Sequence, residues 1–223
     1  MLAGAASELS SISAIAVSAT RNELYALTPS GLKVFPRTAS GNAAPIRSIG
    51  IPAALSSVRA FAFDAVNDEI ILADDRNVVA LSATASGVPT TLRTLEADCA
   101  GVYGLDVDPV AGELFLVCSA ANQCPPGFAC PAVAFPGIVV HARTATGPAS
   151  SLRRKVLTQI APGGAIAVNA AAGHVTWAGS PTVLPSPGVR ITTEPASLQG
   201  AAREVGGPST TLGSGPLRLA LGP

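Results

Sequence analysis

One 38-residue stretch, Val58 to Leu95, constrains this chain more than any other, because the rest of the sequence repeats it with edits. It contains four short apolar runs: FAF from Phe61, EIILA from Glu69, VVALS from Val78 and TLRTL from Thr91. Each is rich in β-branched or aromatic residues and is bounded by turn formers such as Asn67-Asp68, Asp74-Asp75 and Ser86-Gly87, so each reads as a strand, a to d in order. First-strand triplets recur as IAV at Ile15, FAF at Phe61, LDV at Leu105, IAV at Ile166 and LAL at Leu219. Second strands follow from Glu23, Glu69, Glu113 and His174, and third strands from Leu32, Val78, Ile138 and Val189. Fourth strands begin at Ile46, Thr91, Leu152 and Ala202.

A four-strand unit recurring at roughly 40 to 50 residues predicts an all-β fold, a β-propeller of four complete four-stranded blades plus the first strand of a fifth. The chain reads as a single propeller domain over residues 1–223, with blades near 12–50, 58–96, 102–157 and 164–206 and a partial blade at 216–223. Blades pack face to face, so their strands are apolar on both sides instead of alternating, as in IILA and LFLV. The middle of strand a carries Ala16, Ala62, Asp106 and Ala167. Small residues suit the crowded axis, and the acid among them either lines a wet channel or is paired.

Charged residues make up 13% of the chain, hydrophobic ones 48%, and the formal net charge is zero. That balance excludes a disordered segment, and with Lys33 and Lys155 as the only lysines there is no basic stripe to neutralise phosphates. Nucleic acid is therefore not an expected partner. No apolar run approaches the roughly 20 residues of a membrane span.

The runs AFDAVNDEIILAD and LKVFPRTASGNAAPIRSIG resemble the NHL-type and related YVTN-type repeats of bacterial extracytoplasmic propellers. The resemblance covers nearly the whole chain, most strongly in the first two repeats. It implies the propeller fold, with binding or scaffolding roles common and enzymatic ones rarer. Such propellers usually have six or more blades. Leu2 and Ala3 align with the end of a fourth strand and LRLALGP supplies only a first strand, so a partial propeller, with self-association or further blades at the open ends, is expected over a closed four-blade ring with one surplus strand.

In an up-and-down blade the b–c turns and d–a connections share one face of the disc. All four cysteines lie on that face. Hairpin register sets Cys99 opposite Cys118, and Cys124 and Cys130 would close a small loop within a long insertion at 118–137. Two disulfides are favoured over free thiols or a metal site, since the spacing lacks the short C-x2-4-C pairs of structural zinc. Disulfides and the family likeness together place the chain in an extracellular or periplasmic compartment. The opposite face is built from TASG-type turns at Gly41, Gly87 and Gly147 that read as structural punctuation.

Varied loops on a rigid scaffold are where recognition resides. The predicted binding set is therefore Arg59, Asp74, Asp75, Arg76, Tyr103 and Phe128 on the cysteine-bearing face, with Asp106 as the channel candidate. Asp64, Asp108, Asn169 and Ser18, just after strand a, are expected to cap a–b turns instead of forming a ring of metal ligands. His141 is expected to be a partnered core histidine. Glu23, Glu69 and Glu113 are expected to be exposed. No catalytic residue, cofactor or resident metal is assigned. The expected function is a non-enzymatic binding or scaffold propeller with a protein or glycan partner. The alternatives are a metal-dependent, lactonase-like hydrolase or lyase, and a purely structural array.

Overall fold

The computed structural model describes residues 1–99, 101–118, 137–157, 160–181, 190–199 and 203–205. Among these residues sixteen strands form four separate antiparallel sheets of four, each strand pairing with its sequence neighbours within its sheet. Blade 1 contains β1 (Ala14–Ser18), β2 (Glu23–Thr28), β3 (Gly31–Pro36) and β4 (Arg47–Ile49). Blade 2 contains β5 (Ala60–Asp64), β6 (Glu69–Ala73), β7 (Asn77–Ser82) and β8 (Thr91–Glu96). Blade 3 follows as β9 (Val102–Asp108), β10 (Glu113–Cys118), β11 (Gly137–Ala142) and β12 (Arg153–Val156). Blade 4 is β13 (Ile160–Asn169), β14 (His174–Pro181), β15 (Arg190–Pro195) and β16 (Arg203–Val205). The first strands of all four blades line one shared cavity, which makes this a β-propeller arrangement with strand a innermost. The fifth first-strand triplet, at Leu219, lies outside the described residues.

Successive side chains of a strand point to opposite faces, so each blade feeds two interfaces at once. Ile70 and Leu72 pack towards blade 1 against Tyr25, Leu27 and Val34, whereas Ile71 and Ala73 pack towards blade 3 with Leu114 and Leu116. Phe115, Val117 and Val140 in turn meet Ile166, Val175 and Trp177 of blade 4. Double-sided burial explains why β6 is buried at every position and why its sequence does not alternate. Each large side chain so buried stabilises the fold by about 2 kcal/mol.

The TASG turns join blades. Gly87 N–H donates to Ser48 O at 2.8 Å and Gly87 O accepts from Gly50 N at 2.7 Å, clipping blade 2 to the fourth strand of blade 1. Gly147 clips blade 3 to Thr94 and Glu96 in the same way. Gly41 makes the equivalent bonds to Met1 O and Ala3 N, so Leu2 stands against Gly41 as Ile49 stands against Gly87 and Leu95 against Gly147. The three glycines share φ values of 63°, 65° and 63°, left-handed backbone in which an L side chain is strained. A Cβ on Gly87 would meet open space, so the cost of filling it is conformational. Gly87→Ala is expected to lose about 1 kcal/mol, read as a lower urea midpoint with an unchanged slope; no loss would mean that the clip does not need the left-handed residue.

Candidate functional site

The two faces of the disc use their side chains differently. On the a–b and c–d face the polar residues that follow each strand a cap its turn. Asp64 caps Val66 N and Asn67 N, Asp108 caps Val110 N and Ala111 N, Asn169 accepts from Ala172 N, and Ser18 accepts from Arg21 N. All four are the turn caps expected from sequence.

The expectation that the second-strand glutamates are exposed is wrong. Glu23 and Glu69 are only 7% and 8% exposed, and Glu113 is half-buried. Each meets an arginine from strand d of its own blade: Glu23 with Arg47, Glu69 with Arg93, Glu113 with Arg153. Each arginine also donates to a carbonyl of the following blade, Ala83 O at 2.7 Å, Arg143 O at 3.1 Å and Ala196 O at 2.6 Å. Arg47 draws the Glu23 carboxyl well down, to about 2, against the opposing effect of burial, with Tyr25 and Arg21 adding to the pull. Glutamate is inside because the arginine that serves it also fastens the next blade. Asp64, besides its cap, faces Arg143 at 3.2 Å.

The other face carries Arg59, Asp74, Asp75, Arg76 and Tyr103 of the predicted set. Arg59, on the connection entering β5, lies over the Tyr103 ring at 5.4 Å and pairs with Asp75 of the β6–β7 turn at 2.6 Å. Three residues far apart in sequence thus form one solvent-facing cluster, and Arg76 stands exposed beside Asp75. Asp74 belongs to the scaffold instead. It is buried, and its carboxylate accepts from Arg76 N, Asn77 N and Ser56 N at 2.8, 2.7 and 3.1 Å. Burial pushes the Asp74 carboxyl up, but those three amides outweigh it and hold the group below the usual range.

Cys99 and Cys118 form a disulfide with Cα atoms 5.5 Å apart, tying the entry of β9 to the end of β10 as the hairpin register predicts. Cys124, Cys130 and Phe128 lie outside the described residues. Asp106 sits on the wall of the central cavity, half-buried, accepting from Val107 N at 2.9 Å and from Val168 N of blade 4 at 2.7 Å. Burial pushes its carboxyl up to about 6, the two amides oppose that, and Asp108 adds to it. His141 is fully buried, as a core position requires, but neither ring nitrogen has a hydrogen-bond partner among the described residues; burial lowers its basicity. The expectation of a partnered histidine is not met among the described residues, and its neighbour across the strand pair is Leu114. Among the described residues no group of three His, Cys, Asp or Glu side chains converges to hold a metal ion.

No family model matches the chain, and no curated protein matches it. Solved structures do. A nidogen–laminin complex superposes with a TM-score of 0.54 at 15% identity, over 85% of this chain and 63% of that one. A hydrazine synthase of Kuenenia stuttgartiensis gives 0.57 at 8% identity, over 86% and 53%. The Cps50 (Swd1) β-propeller domain of Myceliophteria thermophila gives 0.48 at 12%, over 87% and 55%. At these identities the likeness is one of fold. The chain spans less than two thirds of the length of each.

Proposed function

We propose that the chain is a non-enzymatic binding or scaffold propeller, taking a protein or glycan partner on the face formed by its b–c turns and d–a connections. The observation that carries this reading is the Arg59–Tyr103–Asp75 cluster, a solvent-facing aromatic and arginine pair pre-set by an acid. Tyrosine and arginine dominate measured interface energies, and a guanidinium already held over a ring loses little freedom when a partner arrives. On the opposite face Asp64, Asp108, Asn169 and Ser18 are engaged in caps, and Gly41, Gly87 and Gly147 in clips between neighbouring segments. Propeller likeness to a structure of two proteins in complex agrees with a binding role. The disulfide suits an extracellular or periplasmic setting.

The test uses a displayed random-peptide library and a glycan array, each probed with the purified chain, and then titrates the best ligand against variants. Arg59→Ala and Tyr103→Ala are each expected to weaken binding by about 2 kcal/mol, some thirtyfold. Arg37→Ala, on the opposite face, is expected to stay within about 0.5 kcal/mol. A ligand insensitive to both cluster substitutions but lost with Arg37→Ala would show that the faces are assigned backwards.

A further inference from the structure

A cavity of about 330 Å³ lies on the axis, within the size range of small-molecule sites. Its wall is formed by the inner strands of all four blades, and among the described residues apolar side chains supply it except for Asp106 and the backbone. Ile15 and Val17 of blade 1 are on this wall and are 63% and 51% exposed overall. We propose that this cavity binds a small organic cation, a protonated primary amine on an apolar body, with Asp106 as its counter-ion. The site is separate from the turn face and does not depend on the reading given for it.

Three features carry the proposal. First, the fold does not require an acid at this place. Blades 1, 2 and 4 pack the same position of the inner strand with Ala16, Ala62 and Ala167. Second, the carboxylate has unused capacity. Each oxygen accepts one backbone amide and keeps a further acceptor site, and the charged group acting on it is another acid, Asp108. An ammonium carries three donors and the missing charge. Third, the remaining wall suits an alkyl or aryl body, which a bare metal ion would not use. Calcium and magnesium take about six or more oxygens, and among the described residues Asp106 is the one carboxylate on the cavity wall.

The alternative is a strut: Asp106 holds blade 4 through Val168 N and does nothing else. The two readings differ in what the carboxyl does for stability. Its acidity is weakened by burial, so the folded chain holds this proton more tightly than the unfolded one. The stability it contributes is full below the unfolded value and is lost as pH rises through about 6, so at neutral pH the ionised group is a cost that a bound cation would relieve.

Hexylamine, its neutral isostere hexan-1-ol and calcium chloride are each titrated calorimetrically into the full chain at neutral pH, with Asp106→Ala and Asp106→Asn as variants. Hexylammonium is expected to bind saturably, with hexanol at least about tenfold weaker, the value of one charge-assisted contact. Both variants are expected to lose hexylammonium to the same degree, while the urea midpoint of ligand-free Asp106→Ala stays at or above that of the parent. Equal affinity for amine and alcohol, no saturable binding up to the millimolar range, or amine binding that survives in both variants would overturn the proposal. So would a lowered midpoint in Asp106→Ala with amine binding retained in Asp106→Asn, which is the strut, or calcium binding that either variant abolishes, which is a metal site.

Discussion

Replacing Arg47 by alanine is expected to destabilise the chain by about 3 kcal/mol, the cost of leaving one member of a largely buried ion pair without its partner. Arg47 donates to Glu23 Oε1 and Oε2 at 2.5 and 2.7 Å and to Ala83 O of the next blade, and it lies over the Tyr25 ring at 5.9 Å. Arg21 stays near Glu23 at 3.0 Å and tempers the loss without removing it. Urea unfolding of the variant gives the number. The same pair sets an acid limit. The Glu23 carboxyl sits below its unfolded value, so its contribution is present above pH 4.5 and is lost as pH falls towards about 2. In the variant that part of the acid transition is expected to be shallower. A parent and variant with equal midpoints would mean that the clamp contributes no net stability.

The second large effect is expected from the disulfide. Cys99 and Cys118 are separated by 19 residues in sequence, and closing a loop of that size restricts the unfolded chain by about 3 kcal/mol. Both cysteines are buried in the core between blades 2 and 3, so alanine at each also removes packing. Cys99→Ala with Cys118→Ala is therefore expected to lose at least that amount. Comparing urea midpoints of the parent with and without a strong reductant isolates the covalent part. A double variant as stable as the oxidised parent would show that the bridge constrains nothing.

The strands were legible because their signal is local. IILA, LFLV and IVV are apolar on both sides, and the glycine of each TASG turn announces left-handed backbone before any neighbour is known. The turn caps were legible for the same reason, since Asp64 and Asp108 bond amides two and three residues on. The glutamates were not. Glu69 starts a strand, where exposure is the ordinary outcome, and its burial is decided by Arg93, 24 residues later, together with a carbonyl of the next blade. A trace of this was present in sequence, because IRSI, TLRTL and LRRKVL each carry an arginine in strand d. Asp74 misled in the opposite direction: an aspartate in a variable turn reads as a recognition residue until Ser56 N is found on its carboxylate. Strand direction alone sets Arg59, Asp75 and Tyr103 on one face, yet their contact depends on how blade 2 sits against blade 3, which no spacing specifies.

Amide hydrogen exchange with and without a saturating ligand selected from the peptide or glycan screen tests the division of labour between the two faces most directly. Protection is expected at 54–59, 74–77 and 101–104, around the Arg59–Tyr103 cluster, with the 38–42, 84–88 and 144–148 turns unchanged. Protection confined to those three turns, with the cluster unaffected, would contradict the account.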